Sequence, residues 1–296
     1  MGLQSPSATD GRPSLWARLL GGFPPHGVPF LAGDPGPDEA GRRHLALVLA
    51  YAGEGFLGWQ VQPRGRSIQG ELEAALARLC DHPLRIHASG RTDAGVHALG
   101  QVASFATSST LSLERMNRGL RSLLPPGIHL RALGPTPPDF HARFSAQAKT
   151  YDYWLWPAAP AGLFLQNRLW PLPMALDPAA VAAALALLPG PRDLAALASQ
   201  GAEVNGSTVR EVLEARLDPT PEGPWRVRIS ATGFLRHVVR NLVGLLVRVG
   251  RGQLSPEGML AAIGAGRELR GGSKAPPQGL YLSRVHYQPW PGPAQD

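Results

Sequence analysis

Asp93 is the residue of this chain best placed to do chemistry. It stands in the run Ala88-Ser89-Gly90-Arg91-Thr92-Asp93-Ala94-Gly95-Val96-His97-Ala98, between two glycines, one residue after a hydroxyl and two after an arginine. A side-chain carboxylate is almost wholly ionised at neutral pH, which suits it to nucleophilic attack or to stabilising positive charge. Gly90 and Gly95 permit backbone angles that other residues resist, so the run reads as a tight loop between strands. Such a loop can hold Asp93 at a fixed place facing a cleft, with Arg91 nearby as its charge partner or as a substrate contact. Taken alone, an aspartate flanked by glycines is more often a turn former.

The elements around this loop must position it. Leu45 to Tyr51 is a buried strand ended by Gly53, and Ile68, Leu72, Ala75, Leu76 and Leu79 recur as one helix face with Ser67 as N-cap. Residues 84–88 and Gln101 to Thr107 flank the loop as strands. Leu113, Met116, Leu120 and Leu123 mark a second helix, and a strand follows near 128–133. The order strand, helix, strand, strand, helix, strand predicts an α+β sandwich. The second half reads alike. Lys149 to Trp156 alternates as a strand, Asp177-Pro178 caps a helix running to about Leu188, and Trp225, Val227 and Ile229 form a half-exposed strand. A helix is predicted over about Phe234 to Val249, another from Ser255-Pro256, and a closing strand over Leu280 to Tyr287. Arg236 and Arg240, four apart on one predicted face near a helix N-terminus, suit phosphate binding.

The totals set bounds. The chain has 296 residues, a soft prior of about two domains. Hydrophobic residues make up 44%, enough for a sizeable core. Lys plus Arg number 29 against 22 Asp plus Glu, a net charge of +7 that fits either an anionic partner or a GC-rich coding bias. The single cysteine, Cys80, rules out an internal disulfide framework and fits a reducing cytoplasm. No stretch approaches the ~20 apolar residues of a membrane span. Over a third of residues 1–42 are glycine or proline, so this segment is expected to be a disordered, dispensable tail. The expected domains are then 43–148, with the Asp93 loop, and 149–290, completing a cleft; 291–296 is a second tail.

The Asp93 loop resembles the active-site loop of the TruA family of tRNA pseudouridine synthases, whose signature runs G-R-T-D-A-G-V-H. The resemblance extends over residues 44–288 through Gly58-Trp59-Gln60, Ser67-Ile68-Gln69-Gly70-Glu71-Leu72-Glu73-Ala74-Ala75-Leu76, Gly100-Gln101-Val102 with Phe105, Asp139-Phe140-His141-Ala142-Arg143-Phe144-Ser145-Ala146, Tyr151-Asp152-Tyr153, Phe234-Leu235-Arg236-His237-Val238-Val239-Arg240-Asn241 and Gly279-Leu280-Tyr281-Leu282. It departs over 189–210, where a phenylalanine-rich pattern is replaced by Leu194 and Leu197, and in the proline-rich tail.

The resemblance implies two similar α/β domains whose antiparallel sheets join, with the active site between them. It implies conversion of uridine to pseudouridine at positions 38–40 of the tRNA anticodon arm, with Asp93 as nucleophile and the target base flipped out of its stack. Attack on the sugar and attack on the base both remain open. Arg91 and Tyr151 complete the implied catalytic set, the tyrosine stacking on the flipped uracil and helping remove the C5 proton, with Tyr153 as support. Thr92, His97, His141, Arg143, Arg236, His237 and Arg240 are the candidate RNA contacts. No metal or cofactor is implied, and the expected partners are tRNA and a second copy of the chain, with no membrane. A non-catalytic RNA-binding module would explain the charge but not a carboxylate that repels phosphate. A uracil methyltransferase would need a nucleophilic cysteine, and Cys80 ends an apolar helix stripe. Pseudouridine synthases acting on ribosomal RNA or the tRNA T-arm share the aspartate but surround it with other residues.

Overall fold

The computed structural model describes residues 27–159, 165–199, 206–221, 223–265 and 274–288. Strands β1 (Arg43–Tyr51), β2 (His87–Ala88), β3 (His97–Thr107) and β4 (Ile128–Pro135) alternate with helices α1 (Ile68–Cys80) and α2 (Leu113–Leu123). There follow β5 (Ala148–Trp156), β6 (Trp170–Pro171), α3 (Pro178–Ala186), β7 (Gly190–Asp193), β8 (Val209–Asp218), β9 (Trp225–Ala231), α4 (Val238–Gly250), α5 (Pro256–Gly264) and β10 (Leu280–His286). The helix starts are chemically encoded. Ser67 Oγ accepts the Gly70 N–H at 3.2 Å, and Asp177 accepts the Ala179 and Ala180 N–H groups with Pro178 in the first turn.

The strands form one sheet in the order β4-β1-β3-β10-β5-β9-β8-β7, with β2 beside β3 and β6 beside β5. The expected joining of two antiparallel sheets is therefore a mixed α+β sheet: β10, from the end of the chain, lies between β3 and β5 and runs parallel to β3. That parallel pairing is only two residues long, Tyr281 with His97 and Leu282 with Ala98. The Asp93 loop immediately precedes β3 at this pairing.

Register decides which side chains share a face, because directly opposed residues point the same way. Tyr51 pairs with Ala98, Ala98 with Leu282, Leu282 with Tyr151 and Tyr151 with Ile229. Tyr51 and Tyr151, 100 positions apart in the chain, thus face the same side. The adjacent row, His97, Tyr281, Asp152 and Arg228, faces the other. Leu45, Leu47, Leu72, Leu76, Met116 and Leu120 are fully buried in one half and Val227, Val243 and Ala184 in the other, within a single continuous core.

Several expectations are corrected. The segment before β1 is not a free tail as far as residue 42: Val28 is buried in the core, Leu31 N–H donates to Pro135 at 2.9 Å, and Asp34 and Asp38 pair with Arg43 and His44. Composition there describes turns against a sheet edge, not an unpacked chain. Residues 1–26 and 289–296, including the second expected tail, lie outside the described residues. β9 is buried on both faces, because Arg226 and Arg228 find carboxylates in Asp218 and Asp152. The helix expected from Phe234 begins at Val238, since His237 takes a left-handed backbone (φ 68°) and breaks the run.

Candidate active site

The Asp93 loop is locked from beneath by buried polar groups. Gln101 Nε2 donates to the Gly90 carbonyl at 2.8 Å and to the Tyr51 hydroxyl at 3.3 Å, while its Oε1 accepts from Ser89 at 2.7 Å. Tyr51 in turn bonds the Thr92 hydroxyl at 2.8 Å. Burial pushes the Tyr51 phenol up to about 12, so it stays a neutral hydrogen-bonding strut. From the side, Trp59 N–H donates to the Thr92 carbonyl, and Gly58 O and Trp59 O accept from the first N–H groups of α1. Gly58 allows this contact: its φ is +93°, and a Cβ there would lie 2.6 Å from the Thr92 oxygen. Gly95, at φ +79°, makes the turn after Asp93. Gly90 has no such angle; a Cβ there would lie 3.3 Å from Lys149 Nζ, so its missing side chain lets the lysine approach the loop.

Three cationic or polar groups from the far half of the chain meet Asp93. His237 Nε2 lies 3.1 Å and Arg240 NH1 3.4 Å from Oδ2, and Arg236 Nε lies 3.8 Å from Oδ1. Arg240 is anchored independently, its Nε donating to the Ala275 carbonyl at 2.7 Å. His237 Nδ1 bonds Ser199 Oγ, and Ser199 N–H donates to the Arg236 carbonyl. Burial lowers the His237 pKa, against the pull of Asp93 and with the push of Lys274, Arg236 and Arg240. A neutral ring suits both bonds: Nε2–H donates to the carboxylate and Nδ1 accepts from serine. Asp93 keeps 27% of its side chain exposed, and among the described residues Oδ1 has only the long, solvent-facing contact to Arg236.

Tyr151 is buried, its ring edge-on to Phe234 at 5.1 Å. Burial raises its pKa far above the usual phenol value, and the charges of Tyr51 and Asp93 raise it further, so it is a neutral phenol beside the carboxylate. Among the described residues its hydroxyl has no hydrogen-bond partner. Tyr153, on the same face, is instead tied down by its hydroxyl to the Pro276 carbonyl at 2.8 Å.

The other expected contacts divide. Arg236, His237 and Arg240 converge on Asp93, and Arg236 precedes α4, so the expected two-arginine stripe on one helix face is not formed. Arg91 is exposed and makes no ion pair with Asp93 among the described residues, correcting the expected pairing. His97 is only 2% exposed, stacked on Tyr281 on the opposite sheet face, where strand alternation removes it from the loop and from any RNA surface. Thr92 is buried as the partner of Tyr51. His141 folds back on its own turn, Nδ1 accepting from the Arg143 N–H at 3.1 Å, and its ring lies between His87 and the 76% exposed Phe144. Arg143 is exposed over Phe144. Sequence reading missed Gln101, Tyr51 and Ser199; the polar Gln101 within an apolar strand was the available signal, while Ser199 carried none.

One under-coordinated carboxylate oxygen, a neutral phenol beside it and an excess of positive charge around it can receive an anionic substrate that presents a planar group. A family model described as tRNA pseudouridine synthase matches residues 47–145 and 184–288. The chain is 40% identical over 245 residues to tRNA pseudouridine synthase A of Geobacter sulfurreducens, covering 83% of this chain and 100% of that one. It is 41% identical over 250 residues to tRNA pseudouridine synthase A of Roseiflexus castenholzii, covering 83% and 91%. The chain belongs to the TruA family of tRNA pseudouridine synthases, enzymes of the isomerase class. Among the described residues no helix is long and apolar enough to cross a membrane.

Proposed function

We propose that the chain isomerises uridine to pseudouridine at positions 38–40 of the tRNA anticodon arm, in the cytoplasm and as a homodimer, with Asp93 as the nucleophile. The observation that carries the reading is the Asp93 carboxylate, partly exposed, with Oδ2 held by His237 and Arg240 and Oδ1 met only by the longer contact to Arg236 among the described residues. The target nucleotide leaves its stack at a cost of a few kcal/mol. Asp93 bonds covalently to it while the N1–C1′ bond breaks. The uracil turns, C5 bonds to C1′, and the carboxylate is released. The proton lost from C5 is balanced by the one gained at N1, so no oxidant or co-reactant is consumed.

Tyr151 stacks its ring against the turned uracil, and its free hydroxyl relays the C5 proton as a neutral group. Arg91, exposed two residues from Asp93, occupies the space vacated in the stem or clamps a phosphate. Carbodiimide labelling of tRNA incubated with the purified protein tests the reading. Product at 38–40 is expected; product only in the T-arm or in ribosomal RNA overturns the substrate assignment. Light scattering is expected to give twice the chain mass of 31.5 kDa. A fully active, stable monomer overturns the dimer.

A further inference from the structure

Lys149 lies in β5 on the same face as Tyr151 and Tyr153, since residues two apart on a strand share a face. Its neighbours in register, Ala231 on β9 and Val285 on β10, are apolar. Its Nζ lies 3.3 Å from the point where a Cβ on Gly90 would stand, which sets the ammonium against the Asp93 loop. Among the described residues its side chain has no ion pair and no hydrogen bond. The charges acting on it are both positive: Arg143 from the 140–145 turn and Arg210 from β8. Neither of these has an acidic partner among the described residues; Arg210 donates to the Ser207 and Val209 carbonyls, and Arg143 lies over Phe144.

On the other face of the sheet arginines are neutralised, Arg228 by Asp152 and Arg226 by Asp218. Lys149 stands against the reacting loop with two further cations acting on it and, among the described residues, no carboxylate paired with any of the three, which calls for an anion from outside. We infer that Lys149, flanked by Arg143 and Arg210, seats a backbone phosphate of the RNA strand next to the nucleotide that reacts at Asp93. This rests on Asp93 being the reacting centre. The phosphodiester supplies the missing negative charge. Burial first, then the two guanidiniums, lowers the Lys149 pKa to about 8, so the free protein holds this charge at a cost that RNA binding relieves.

The test is the tRNA dissociation constant of wild type, Lys149→Met, Lys149→Arg and Arg143→Gln, measured against salt and pH apart from turnover. Lys149→Met is expected to bind about tenfold more weakly at 0.1 M salt, with a salt slope smaller by about one. Wild-type affinity should fall about fivefold between pH 7 and pH 9, because about a tenth of the free protein carries the charge one pH unit above its pKa and the neutral form still binds about tenfold more weakly. Lys149→Arg, charged throughout, should bind as wild type at pH 7 and lose that extra pH dependence. Arg143→Gln should weaken binding, with a smaller slope. Unchanged affinity and slope in Lys149→Met overturn the inference, as does weakened binding that arginine fails to rescue, which would mark a packing role. Competition by millimolar inorganic phosphate that Lys149→Met abolishes, with tRNA binding unaffected, would mark a free-anion site and overturn the RNA assignment. A wild type that binds no tRNA defeats the functional reading itself; a wild type that binds, matched by Lys149→Met, defeats only this inference.

Discussion

Asp93 and Asp152 both lie near the centre of the sheet, both face arginine, and are held in opposite ways. Asp152 is saturated: Arg228 donates to it through Nε at 2.7 Å and NH2 at 3.0 Å, and Ser283 adds a third bond at 2.7 Å. Its side chain is 6% exposed. Burial alone would raise its pKa, but the hydrogen bonds and charge of Arg228 outweigh burial and hold it below the usual carboxylate range. Asp93 has contacts of 3.1 to 3.8 Å, to His237 and Arg240, which Ser199 and the Ala275 carbonyl anchor, and to the exposed Arg236. A buried carboxylate held by three close hydrogen bonds supports a fold; a partly exposed one with longer contacts is available to react.

The sharpest way to break that contrast is Asp93→Asn. Pseudouridine formation should fall below a few per cent of wild type while thermal stability and tRNA affinity persist; substantial turnover would remove Asp93 from the chemistry. Next comes Tyr151→Phe, which keeps the ring and drops the free hydroxyl. A single-turnover loss of roughly 10²–10⁴ at unchanged tRNA affinity is expected for a proton relay, and a near wild-type rate would leave the tyrosine only stacking.

Asp152→Ala should show the reverse pattern. Leaving Arg228 buried without its partner costs about 3–5 kcal/mol of stability, read by denaturant unfolding, while the rate per folded molecule holds. The pH dependence has a definite sign. Because the folded pKa of Asp152 lies below the unfolded one, its contribution is present above the ordinary carboxylate range and is lost as pH falls through that range and below. Wild type should therefore lose stability on acidification more steeply than Asp152→Ala. The smallest effect belongs to deletion of residues 1–42: loss of the buried Val28 side chain should lower stability by about 2 kcal/mol, with single-turnover rates kept. An unchanged melting temperature would show that the packing at this edge contributes nothing.

Much of the scaffold was legible because its signals are local. The apolar repeat from Ile68 to Leu76 with Ser67 before it, and Asp177-Pro178 before an alanine run, state helix starts in a few residues. The loop at Asp93 was legible for the same reason, its glycines and its string of types lying within eleven positions. His237 hid the start of α4, because a left-handed histidine looks no different in sequence from a helical one. Val28 and Phe30 were hidden by the glycines and prolines around them, which speak of turns and not of what the turns pack against.

The sequence by itself determined that Asp93 sits in a tight loop between strands, and that helices and strands alternate around it. Only the tertiary structure decided which charges meet. Arg91, two residues away, makes no ion pair with Asp93 among the described residues, whereas Arg240, 147 positions on, touches the carboxylate. His97 and Tyr151 were assigned to one site, and a one-residue step in strand register put them on opposite faces of the sheet. Such contacts depend on where β10 inserts and how it aligns with β3 and β5. Pairing between distant strands depends on backbone geometry and packing summed over the whole sheet, which no short run of residues can carry.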